Sequence, residues 1–126
     1  MARRRITHQD GVNAIQSVLA KRENEDISKD ADLITAVRYL LEELAEVAPG
    51  NSVEVRVPPY GATQCIEGPR HTRGTPPNVV EMKPEVWFEI ALGIRSWSEV
   101  LADHQVSASG VRATLEEVLP LKLRLK

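Results

Sequence analysis

The chain has 126 residues, enough for one hydrophobic core and too few for two of comfortable size. Its 42% hydrophobic and 27% charged content is an ordinary globular balance, which excludes a disordered, collagen-like or disulfide-scaffolded protein. The formal charge of -2 sets nucleic acid aside as a partner, because phosphate binding needs concentrated Lys and Arg.

Val12, Ile15, Val18 and Leu19 recur at helical spacing and predict a first helix from His8 to Arg22. Thr7 ahead of it and Asp10 three residues on form a capping-box pattern. Glu23 to Asp30 has no period and reads as a connector. Leu33 to Ala48 carries the strongest helical stripe, Leu33, Val37, Leu40, Leu44 and Val47 with Ile34, Leu41 and Ala48 beside it. So wide an apolar face requires more than one packing neighbour. Asp30 or Asp32 can cap this helix, Arg38 and Glu42 stand as an i,i+4 pair, and Pro49-Gly50 ends it.

Beyond Gly50 the period becomes two. Val53, Val55 and Val57 alternate with Ser52, Glu54 and Arg56, the pattern of a strand with one wet face. Pro58-Pro59-Tyr60-Gly61 supplies turn chemistry, and Ala62 to Ile66 returns as an antiparallel partner. Gly68 to Pro77 is too rich in Gly and Pro for a regular element, and Asn78 to Met82 predicts a short strand. Pro84 opens a helix that Gly93 ends, with Val86, Trp87, Ile90, Ala91 and Leu92 as its apolar face. Ser96 and Glu99 form a second capping box, opening a short helix through Trp97, Val100 and Leu101. Val106 to Gly110 reads as a strand of small residues. Val111, Leu115, Val118 and Leu119 predict a final helix ending near Pro120, and Leu121 to Lys126 reads as a basic tail or an edge strand.

Strands clustered in the chain with helices segregated around them predict an α+β fold, a mainly antiparallel sheet of four to five strands with helices packed on one face. A doubly wound nucleotide-binding sheet would need strands alternating with helices and a Gly-rich strand-to-helix turn, and the chain has neither. The whole of 1–126 reads as a single domain. Cys65 is the only cysteine, so no intrachain disulfide can form, in keeping with a reducing compartment. Gly11 to Ala20 and Val57 to Ile66, the longest uncharged stretches, fall well short of the roughly 18 residues a membrane span needs, so no integral membrane association is expected. Arg3 to Arg5 is followed by polar residues rather than a signal-peptide core, and the expected location is cytoplasmic.

Two stretches carry a family resemblance. Val55 to Val80 reads VRVPPYGATQCIEGPRHTRGTPPNVV; the second combines Pro84, Trp87, Phe88 and Gly93 with the small strand Val106 to Gly110 and continues to Leu115. In this order they resemble the sterol carrier protein family, most closely its small stand-alone bacterial members. His104-Gln105 stands where better-known members place a Gly-Lys pair before the corresponding strand. The resemblance implies an α+β domain whose sheet and helices enclose an apolar cavity for sterols, acyl chains or similar molecules, usually without catalysis.

On this reading the expected partner is an apolar or amphipathic small molecule held between sheet and helices. Trp87, Ile90, Trp97, Leu101, Leu115 and Leu119 are the candidate lining, and the same residues serve equally as ordinary core. Arg70, His71 and Arg73, with Arg56 as a neighbour, are candidate contacts for an acidic head group. At about 24 cal/mol per Å³, an empty cavity of roughly 300 Å³ would cost on the order of 7 kcal/mol, so a carrier's pocket is expected filled, wet or partly collapsed. The competing expectation is an interaction or enzyme-accessory module whose protein partner docks on the sheet edge or the loop around Arg70. Cys65 and His71 lack a third orienting residue and an oxyanion motif, so no catalytic residue is assigned. His8, His71 and His104 have no paired spacing, and neither metal nor cofactor is expected.

Overall fold

The computed structural model describes residues 4–68 and 78–125. Helices α1 (His8–Lys21) and α2 (Ala31–Val47) lead into a hairpin of β1 (Val53–Val57) and β2 (Gly61–Cys65). The strand β3 (Asn78–Met82), the helices α3 (Pro84–Leu92) and α4 (Trp97–Ala102), and the strand β4 (Val106–Ser109) follow. The fold is α+β as expected, with strand order β2-β1-β3-β4. The β1/β2 and β3/β4 pairs are antiparallel, while the central β1/β3 pair is parallel, with Val55 beside Thr63 on one side and Val80 on the other. The sheet is therefore mixed, and β2 and β4 are its edges.

The two-residue period places Val53, Val55, Val57, Val80 and Met82 on the buried face, and Arg56 and Glu81 on the exposed one. The helical layer covers the buried face. The wide stripe of α2 has three neighbours, α1, α3 and β2, which is why it stays apolar over so much of its circumference. Gly11 permits the close approach of α1 and α2. A Cβ at that position would lie 2.3 Å from two ring carbons of the fully buried Tyr39.

Local capping follows side-chain chemistry. The Thr7 hydroxyl accepts from the Asp10 N–H at 3.1 Å, the half of the expected box that forms among the described residues. Of the two aspartates proposed for α2, Asp30 is the cap, accepting from the Asp32 N–H at 2.8 Å. The Lys21 ammonium, 2.8 Å from Asp30, and that backbone hydrogen bond hold the Asp30 carboxyl below the usual carboxylate range. Gly93 ends α3 in the left-handed region at φ 79°. Ser96 and Glu99 complete the reciprocal box at 3.1 and 3.0 Å.

The predicted last helix is absent. Residues 110–125 form an irregular strap with a turn at Leu115, whose carbonyl accepts from Val118 and Leu119 N–H at 3.1 Å each. The backbone upstream is committed elsewhere: Arg112 N–H donates to Asn78 Oδ1 at 2.8 Å, and Thr114 N–H donates to the Arg112 carbonyl at 2.8 Å. Val111, assigned to the apolar face of that helix, is fully exposed. The alternation from Leu121 onward is real but builds no edge strand. Leu121 is buried and Leu123 and Leu125 are half-buried against the core, while Lys122 and Arg124 face water.

Candidate functional site

Two places deserve comparison as binding sites, the interior between sheet and helices and a groove outside it. In the interior, Trp87, Ile90 and Leu115 are 0–1% exposed, and Trp97 is 6% exposed. A hollow able to admit water would leave exposed area on its walls, so Trp87, Ile90 and Leu115 line no such hollow here. The Trp87 indole N–H donates to the Val37 carbonyl at 3.3 Å, tying α3 to α2 through the core. Leu119 is half-buried against this cluster, and Leu101 stands at the surface, 43% exposed.

The strap closes the interior on the helical side. The Leu121 N–H donates to the Ala91 carbonyl of α3 at 2.9 Å, and the Gln16 side chain of α1 donates to the Leu125 carbonyl. Arg70, His71 and Arg73 lie outside the described residues. Arg56, proposed as their neighbour, belongs to the exposed face of the sheet and pairs with Glu54.

The groove has a volume of about 1040 Å³ and lies between residues 4–6, the outer stripe of α2 and the edge strand β2. Its α2 wall presents Thr35, Arg38, Leu41, Glu42, Ala45 and Glu46, positions that recur at three and four residues and so share one face. Pro49 continues that wall, Ile6 closes the second side, and Gly61, Ala62 and Thr63 form the third. Gly61 allows the strand to sit close to the helix. A Cβ there would come within 3.2 Å of Leu41 Cδ1 and 3.9 Å of the Arg38 stem.

Electrostatics fasten residues 4–6 to α2. Glu42 accepts from the Arg5 and Ile6 backbone N–H groups at 3.1–3.2 Å. Arg4 donates to Glu43 at 2.7 Å and also to Glu46, with its guanidinium 5.2 Å from the centre of the Tyr39 ring. Burial alone would ease the Arg4 proton off, but hydrogen bonds to both carboxylates hold the guanidinium more firmly charged than usual. Burial first, and then the Glu43 charge, push the Tyr39 hydroxyl above the ordinary phenol range; His8 Nδ1 lies 2.8 Å from it.

These contacts correct the expected i,i+4 pair. Arg38 does not pair with Glu42 among the described residues: its Nε donates to the Tyr60 carbonyl at 2.9 Å, fixing the hairpin turn to α2. Glu42, Glu43 and Glu46 hold the segment ahead of α1. Single-residue spacing could not identify this clasp, because the arginines and the glutamates are nearly forty positions apart. The Arg3 to Arg5 cluster ahead of a helix and the Glu42, Glu43, Glu46 set were the available signals.

Cys65 is fully buried in β2, and burial pushes its thiol up to about 12. At pH 8 the thiolate then amounts to about one part in ten thousand. A disulfide reagent is expected to label the native protein at least 100-fold more slowly than the urea-unfolded chain; comparable rates would place the thiol at the surface. Among the described residues, no group of three or more His, Cys, Asp or Glu is placed to hold a metal ion, and no helix is long and apolar enough to cross a membrane.

No curated protein matches the chain significantly. Residues 29–121 do match a family model described as the bacterial SCP ortholog, spanning the described elements from α2 to β4 and most of the strap. With so much of its length matched, including both stretches that carry the sterol-carrier resemblance, the chain belongs to the bacterial SCP ortholog family, a small bacterial sterol-carrier-like family.

Proposed function

We propose that this protein binds and carries an apolar or amphipathic small molecule, a lipid, sterol or acyl chain, without transforming it. The observation that carries this reading is the open groove of about 1040 Å³, whose walls include Ile6, Leu41, Ala45, Pro49, Gly61 and Ala62, in a chain of sterol-carrier-like family. Ligand sites typically occupy about 300–1,000 Å³ and set polar groups among apolar walls; this groove lies at the upper end of that range and mixes Ile6, Leu41, Ala45 and Pro49 with five charged residues. The packed state of Trp87, Ile90 and Leu115 agrees with the cost of an empty cavity: a ligand-free interior collapses unless a guest fills it. Entry of a guest there would require residues 110–125 to move, with Arg70, His71 and Arg73 as proposed head-group contacts. In this reading the protein works in the cytoplasm, in keeping with its single unpaired cysteine.

The filled interior also favours a second reading, an interaction or enzyme-accessory module with no small ligand. Organic extraction of the purified protein followed by mass spectrometry separates the two. A carrier yields a stoichiometric lipid, and a panel of sterols, fatty acids and phospholipids contains a member that stabilises it by about 2.7 kcal/mol at one hundred times its Kd. Failure of both measurements would remove the carrier reading in favour of the module.

A further inference from the structure

Some of the charged groups in the groove are paired with one another and others remain for a ligand. Five charged residues line it: Arg4, Arg5, Arg38, Glu42 and Glu46. Arg4 is engaged by Glu43 and Glu46, and Glu42 is occupied by the Arg5 and Ile6 backbone N–H groups and lies 3.8 Å from Arg4. Arg5 and Arg38 have no ion-pair partner among the described residues, and both are exposed. Arg38 is oriented by its single Nε bond to Tyr60, which leaves its terminal nitrogens available. Glu42 is one helical turn from Arg38 and holds the Arg5 backbone, so both arginines are rooted within about one turn of α2 at the groove.

Toward the end of α2, Ala45 and Pro49 are the apolar lining, beside the mutually neutralised Arg4–Glu46 pair. β2 follows α2 in that direction: Gly61 lies against Leu41 and the Arg38 stem, and at the far end the Ile66 N–H donates to the Ala48 carbonyl at 2.7 Å. From Arg38 to the end of α2 at Val47 the helix rises about 14 Å, room for an extended chain of about a dozen carbons.

We propose that the groove between residues 4–6, α2 and β2 is a binding site for a single-chain anionic amphiphile. Arg5 and Arg38 take its carboxylate or phosphate, and Ile6, Leu41, Ala45 and Pro49 hold its alkyl chain. This inference rests on the carrier reading and narrows it to one site and one ligand chemistry. The arginines supply charge-assisted hydrogen bonds to the head, and the apolar stripe supplies burial of the tail. A free fatty acid and a single-chain phospholipid share this chemistry.

The test uses the full chain titrated with dodecanoate, dodecyl phosphate, dodecanol and dodecyltrimethylammonium below their micellar ranges, followed by amide NMR shifts and tryptophan fluorescence. Both anionic probes are expected to move amides of residues 4–6, 35–49 and 61–63 while leaving Trp87 and Trp97 emission nearly unchanged. The neutral and cationic probes bind at least tenfold more weakly. Arg5→Ala weakens the anionic probes by roughly tenfold. Because Glu42 holds Arg5 by its backbone N–H, this variant retains that anchoring contact. Arg38→Ala has a similar effect, and Ala45→Trp, which fills the groove from the α2 wall, abolishes binding. Equal affinity for anionic and cationic probes would overturn the assignment, as would binding unchanged by all three substitutions. Shifts centred on α3, α4 and the strap with altered tryptophan emission would place the ligand inside, removing the groove site but keeping the carrier reading. Failure to bind either anionic probe, when extraction recovers another lipid, also removes the groove site alone; failure to bind or recover any lipid removes both.

Discussion

Leu115→Ala is expected to destabilise the protein by about 2–5 kcal/mol, although the residue belongs to no regular element. Its side chain is fully buried in the contiguous core, with Ala113 and Leu121 buried on the same strap. An irregular backbone can relax toward a cavity more easily than a helix, which would reduce the loss. Here the relaxation is restrained: the Leu115 carbonyl accepts from two N–H groups, Arg112 is fixed to Asn78, and Leu121 is fixed to Ala91. The cavity should therefore persist. Urea unfolding checks this, with the midpoint lowered and the slope unchanged. A loss below about 1 kcal/mol would show a loosely docked strap, and the interior route for a ligand would then gain weight over the groove.

Gly50→Ala is expected to cost about 3 kcal/mol or more and to lower Tm by on the order of 10 °C. Gly50 has φ 146°, and a Cβ there would lie 2.2 Å from both the carbonyl carbon and the oxygen of Ile66. Neither can yield readily. Ile66 donates its N–H to the Ala48 carbonyl at 2.7 Å, and its own carbonyl accepts from the Ser52 N–H at 3.0 Å and the Ser52 hydroxyl at 2.6 Å. This knot joins the end of α2 to both strands of the hairpin, so strain there also disturbs the Pro49 end of the groove. Asn51→Ala, at an exposed neighbouring position, serves as the control and should change Tm little. A Gly50→Ala protein as stable as the control would mean that the α2-to-β1 connection has another arrangement of similar energy.

Most of the elements are legible in the residues. The β3 and α3 bounds and the α4 cap agree with the patterns that predict them, and α1, α2 and β2 differ only at their ends. The family is legible too, from Val55 to Val80 and from Pro84 to Leu115, within the matched residues 29–121. The final helix fails for an identifiable reason. Val111, Leu115, Val118 and Leu119 have helical spacing, but the Thr114 N–H donates to the Arg112 carbonyl at 2.8 Å, a closure tighter than a helical turn. Asn78, from the start of β3, takes the Arg112 N–H instead.

The candidate groove was hidden for a related reason. Thr35, Arg38, Leu41, Glu42 and Ala45 look like the boundary between the apolar and wet faces of α2, an ordinary sight on an amphipathic helix. They become a concave wall only because β2 lies along one flank and residues 4–6 along the other. The tryptophans illustrate the converse. Their size and spacing mark them equally as core and as ligand wall, and only their packing tells which of these the ligand-free protein adopts.

Composition, periodicity and caps act over a few neighbouring residues, so helices, strands and the α+β class could be derived without coordinates. The parallel β1/β3 pair, the strap in place of a helix, the Arg4 clasp and the groove depend on which distant group satisfies each hydrogen bond and charge. Those partners compete across the whole chain, and the choice among them is made when buried polar groups must be matched within one close-packed core.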